Sequence, residues 1–135
     1  MSDYAYEEID HTADLAIKVW GEGLQALFSH AALGMYHLMG VKGVEGLEIE
    51  ESFIIPEGTK ESMLVDFLNE CLYLTEAKRV IFNAFSLKMK ESGLSVRATG
   101  SKLDRLERNI KGVTFHDLEI DESDSGMETI ITFDV

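Results

Sequence analysis

Apolar and polar positions in this chain change period several times, and each change marks an element. Leu15, Ile17 and Val19 alternate with Ala16, Lys18 and Trp20, the period-two pattern of a half-buried strand. Tyr4 to Glu8 reads as a short strand ahead of it. Gly21-Glu22-Gly23 ends the second strand and opens a helix. In that helix Leu24, Leu27, Phe28, Ala31, Met35 and Leu38 recur at helical spacing on one face, and Gly40 is placed to cap its C-terminus.

Alternation returns from Leu47 to Ile55, and Pro56-Glu57-Gly58 makes the turn that closes it. Thr59 is placed to cap a second helix over about Lys60 to Lys78. There Leu64, Phe67, Leu68, Cys71 and Leu72 form a broad stripe suited to lying on a sheet. The remainder reads as strand: 84–90 and 94–99 around Glu91-Ser92-Gly93, then 109–121 and 127–134 around the turn 122–126. Helices interrupting runs of hairpin-linked strands predict an α+β fold, with two main helices packed on a mainly antiparallel sheet.

At 135 residues the chain has the size of one domain, 1–135, with one core. There is no internal repeat and no low-complexity linker. Hydrophobic residues make up 45%, which excludes disorder, and no run approaches a transmembrane span of roughly 18 apolar residues. The acidic N-terminal stretch has no apolar leader, and one cysteine cannot form an internal disulfide. The expectation is a soluble cytoplasmic protein without a membrane partner.

Charge narrows the function further. The formal net charge is −13, whereas nucleic-acid binding draws on cations that neutralise phosphates. The densest basic run, Lys102, Arg105, Arg108 and Lys111, is broken by Asp104 and Glu107. No strong direct nucleic-acid binding is expected; cations or basic protein surfaces are the natural partners.

The familiar catalytic sets are absent. Cys71 falls on the apolar face of the second helix, where a thiol acts as a small hydrophobe. No Gly-x-Ser-x-Gly elbow, phosphate-binding loop or zinc spacing occurs. His30 and His37 share a helix stripe and read as a solvated edge.

Carboxylates remain. Asp10 and Asp14 flank His11-Thr12-Ala13 at the turn between the first two strands. The last strand keeps its alternation to Asp134, which places that carboxylate beside the carboxylate of Val135. Close anions call for a cation or a raised pKa, and hard oxygen donors suit Mg, Mn or Ca ions. From the residues alone, Asp14 in an Asx-turn and Asp134 as a solubilising tail residue explain the same pattern. In 109–120, Lys111, Val113 and Phe115 alternate with Gly112, Thr114 and His116. Lys111 is then either partly buried beside a carboxylate or an edge lysine reaching water. Gly112 is a weak strand residue unless a bulge or close neighbour needs its space.

"HTAD" after a short first strand, "LNECLYL" in the second helix, "IKGVTFHDLEI" late and a terminal "FDV" together resemble the archease family, in order and over essentially the whole chain. The resemblance implies a strand-helix-strand-strand module with an inserted α/β segment. It also implies a non-catalytic protein cofactor of the GTP-dependent RNA ligase of tRNA splicing, promoting guanylylation of the ligase histidine and multiple turnover. An older suggestion for the family is a chaperone-like modulator of tRNA methylation. The resemblance assigns the metal ligands to Asp14, Asp134 and the terminal carboxylate of Val135, and an activating role to Lys111. His11, Thr12 and His116 match motif positions that support the loops. Gly112 and Phe115 depart from the alanine and tyrosine common there. A small metal-dependent hydrolase using the same carboxylates is the enzyme alternative.

Overall fold

The computed structural model describes residues 5–9, 15–115 and 117–135. In chain order come β1 (Tyr6–Ile9), β2 (Leu15–Gly21), α1 (Leu24–Met39), β3 (Lys42–Gly43), β4 (Ile49–Pro56) and α2 (Lys60–Lys78). They are followed by β5 (Val80–Lys90), β6 (Gly93–Arg105), β7 (Gly112–Val113), β8 (Asp121–Ser123) and β9 (Gly126–Asp134). The fold is α+β, and its antiparallel strands divide between two sheets. One runs β1-β2-β9-β7 with β8 also on β9; the other runs β3-β6-β4 with β5 on the opposite edge of β6. The first sheet thus joins the two ends of the chain, and the second comes from the segment inserted between them.

Local signals set both helices. Thr59 Oγ1 accepts from the Ser62 N–H at 3.0 Å, satisfying one of the otherwise unpaired donors of the first turn. At the other helix, Gly40 adopts left-handed φ 61° and its N–H returns to the His37 carbonyl, a conformation that costs glycine little. Leu27, Phe28, Ala31 and Met35 of α1 are fully buried, as are Leu64, Phe67, Leu68 and Cys71 of α2. They meet Ile17, Val19, Ile131 and Phe133 from the first sheet, and Val96 and Ala98 from the second. Phe67 contacts Phe28, Phe53 and Phe85, with ring centroids 5.3–6.3 Å apart, so one aromatic cluster ties α1, α2 and the inserted sheet together. Among the described residues no helix is long and apolar enough to cross a membrane.

The segment expected as one strand over 109–121 is mostly irregular. Only Gly112–Val113 and Asp121–Ser123 pair with β9. Between them Leu118 N–H turns back to the Phe115 carbonyl, and Asp117 takes left-handed φ 57°. Helix side chains supply acceptors that a ladder would otherwise provide: Asn69 Oδ1 takes the Val113 N–H at 2.9 Å, and Glu61 Oε2 the Ile120 N–H at 3.1 Å.

Candidate functional site

The central pairing of the first sheet is β2 with β9, in register from Leu15↔Phe133 to Gly21↔Met127. Alternation along β9 sends Thr129, Ile131 and Phe133 into the core. It therefore sends Glu128, Ile130, Thr132 and Asp134 to the opposite, outer face. The last ladder pair on the other side of β9 is Gly112↔Asp134. Lys111 N–H donates to the Asp134 carbonyl at 2.8 Å. The backbone of Asp134 is thus fixed while its carboxylate faces solvent, and Val135, which follows it, is 48% exposed.

The structure brings Lys111, Asp134 and Val135 to one end of the first sheet. The Lys111 side chain is exposed, so of the two readings left open by the sequence, the edge lysine holds; its link to Asp134 is through its backbone. Asp14, His11, Thr12 and His116 lie outside the described residues. Among the described residues no three His, Cys, Asp or Glu side chains converge as a metal site. Asp134 and the neighbouring carboxylate of Val135 are hard oxygen donors of the type that Mg, Ca and Mn ions take. By themselves they are too few for such an ion, which takes about six or more oxygen ligands.

Sequence reasoning missed the part played by Asn69. Its carboxamide, on α2, fixes β7, the strand that begins just after Lys111. A polar amide within the apolar run Phe67-Leu68-Asn69 was the available signal, since a half-buried amide needs a partner. Gly112 has no positive φ, and a Cβ there would meet only Asn69 Oδ1, at an ordinary 3.5 Å. Neither a bulge nor a close backbone demands glycine at that position.

The other candidates resolve into structure. Cys71 is fully buried, and burial drives its thiol far above its ordinary range, so the reactive thiolate is suppressed. His30 Nδ1 donates to the Trp20 carbonyl at 2.6 Å, tying α1 to β2, while the exposed His37 ring lies 5.5 Å from that of Tyr6. A wide, open concavity of about 790 Å³ lies over the loop after β3 and the edges of β5 and β6. It contains none of the expected site residues. A smaller one of about 260 Å³, with Lys18, Glu128 and Ile130 in its lining, sits on the same outer face as Asp134.

Comparison with known proteins agrees with this architecture. Residues 6–135 match the model of the archease protein family (MTH1598/TM1083). A Methanosarcina barkeri archease is 33% identical over 140 residues, covering 96% of this chain and 95% of that protein. A Pyrococcus abyssi archease is 31% identical, covering 90% and 91%. The solution structure of Methanobacterium thermoautotrophicum protein 1598 superposes with a TM-score of 0.73 at 28% identity, covering 98% of this chain and 99% of that one. The crystal structure of a Thermotoga maritima archease, described as a possible chaperone, shares the fold with a TM-score of 0.71 at 23% identity, covering 96% of each chain.

Proposed function

The chain belongs to the archease family, and we propose that it is a non-catalytic activator of the GTP-dependent RNA ligase that joins 3′-phosphate to 5′-hydroxyl ends in tRNA splicing. The observation that carries the reading is the placement of Asp134. Its backbone is held by the β7–β9 pairing while its carboxylate stands free on the outer face, next to the chain position of Lys111. On its other side β9 pairs with β2, where Phe133 stands in register with Leu15.

In this reading Asp14, Asp134 and the carboxylate of Val135 hold a divalent ion (Ca, Mg or Mn). When bound, that ion supplies positive charge of the kind that offsets a triphosphate during attack by the ligase histidine. The remaining work is positional. The β2–β9 and β7–β9 ladders fix the backbone that carries the carboxylate, Asn69 fixes β7, and Lys111 presents an exposed cation next to the same site. Activation of this kind needs no nucleophile in this protein, in keeping with the burial of Cys71.

The test is ligation of excess 3′-phosphate RNA to 5′-hydroxyl RNA by the cognate ligase with GTP and Mn²⁺. Wild type is expected to restore multiple turnover and Asp134→Ala to lose it. Unchanged turnover with wild type would overturn the reading. A chaperone-like modulator of tRNA-methylating enzymes is the second reading, taken from the description of the Thermotoga relative together with the older suggestion for the family. Extending the C-terminus by a few residues separates the two: carboxylate-dependent activation is lost, and generic chaperoning is retained.

A further inference from the structure

Both helices cover the inner faces of the sheets, and among the described residues no element forms a layer over Lys18, Glu128 and Ile130 on the outer face of the β1-β2-β9 sheet. Registers Glu7↔Lys18, Lys18↔Ile130 and Asp121↔Glu128 place these residues side by side on that face. Charge is divided unevenly between the sheets. The strands of the first carry Lys18 against Glu7, Glu8, Asp121, Glu122, Glu128 and Asp134. Those of the second carry Lys42, Lys88, Lys90, Arg97, Lys102 and Arg105 against only Glu50, Glu51 and Asp104. By register Glu8, opposite Ile17, and Glu122, opposite Met127, belong to the other face, so the outer face itself carries Glu7, Asp121, Glu128 and Asp134 against Lys18, a local anionic excess and not just the average of an acidic chain.

Apolar surface lies within the same face. Ile130 is 51% exposed and forms part of the depression of about 260 Å³, whose rim also carries Asp117, Glu119 and Asp121. Lys18 offsets one of these carboxylates, Glu128, at 3.8 Å, and lies over the Trp20 ring at 5.3 Å; Glu7, Asp121 and Asp134 share the face with it. Along β9, Ile130 and Asp134 share the face four residues apart, about 13 Å at strand rise.

We infer that this outer face docks a basic protein surface through Ile130 and the surrounding carboxylates, and that docking brings Asp134 against the partner. The inference rests on the activator reading, in which the partner is the RNA-joining enzyme. An enzyme that binds RNA carries basic surface to neutralise phosphates, which makes it complementary to this face and not to the strands of the second sheet, where cations are in excess. An apolar centre within a polar rim is the ordinary anatomy of such a contact, and Ile130 is an exposed aliphatic residue of this face.

The test measures binding of the full chain to the cognate ligase at low and at physiological salt, with ligation turnover followed in parallel. Ile130→Asp and the pair Glu7→Lys with Asp121→Lys are expected to weaken binding about tenfold or more, the charge variants chiefly through slower association at low salt. Lys88→Glu with Arg97→Glu, on the other sheet, should leave affinity within about twofold. Circular dichroism confirms that each variant is folded. Wild-type binding and turnover with unaffected outer-face variants would overturn the docking face and leave the activator reading intact. Equal loss from both sheets would overturn it as well, since bulk charge would then explain the effect. A wild type that neither binds nor activates overturns both.

Discussion

Asn69 Oδ1 accepts the Val113 N–H at 2.9 Å, so a side chain in the middle of α2 stands where a neighbouring strand would otherwise be. Asn69→Leu removes the acceptor and leaves a partly buried N–H unpaired, at a cost of about 1–3 kcal/mol. Thermal unfolding should report the loss. Hydrogen exchange should show faster exchange at Val113 than in β2, because the change loosens β7 before the core.

Gly112 and Gly100 should respond oppositely to alanine. At Gly112 the new methyl makes an ordinary contact with Asn69 Oδ1, and Gly112→Ala should change stability by no more than about 0.5 kcal/mol. At Gly100 the Cβ would fall 1.8 Å from the Ile81 carbonyl oxygen, where only backbone movement relieves the clash. Gly100→Ala should lower stability by several times that amount, or prevent folding, as read from denaturant midpoints.

Gln25 closes the free edge of β5. Its amide donates to the Phe85 carbonyl at 2.8 Å, and its carbonyl accepts the Leu87 N–H at 2.7 Å, reproducing the pairing of a strand residue. Gln25→Ala uncovers that edge, and exposed edges template association. Light scattering on warming should rise earlier in the variant than in wild type, with little change in secondary structure beforehand.

Burial raises the Cys71 thiol above its ordinary value of 9.0, and likewise the Tyr36 hydroxyl above 10.0. Both groups keep their protons in the folded state and lose them more readily when unfolded. Their contribution to stability is therefore full below about pH 9 and declines as pH rises beyond the unfolded values. Denaturant midpoints should fall from pH 9 to 10.5, and Cys71→Ala should flatten the first part of that decline. At pH 8 the thiol should react with a disulfide reagent only on unfolding.

The sequence by itself determined the elements whose causes are local. A threonine followed three residues later by an N–H to cap fixed the start of α2, a left-handed glycine ended α1, and strict alternation carried β2 and β9 to their observed faces. The buried role of Cys71 and the outward position of Asp134 were legible for the same reason: each follows from the period of its own element. Only the tertiary structure decided the division into two sheets, because pairing partners such as Leu15 and Phe133 are separated by nearly the whole chain and leave no local mark. It also decided the fate of 109–121. That stretch alternates like a strand, yet Asn69 and Glu61 supply acceptors from a helix, and Asp117 turns the backbone out of line. Hydrophobic period records which side chains are buried. It does not record which group, near or far in sequence, accepts each backbone hydrogen.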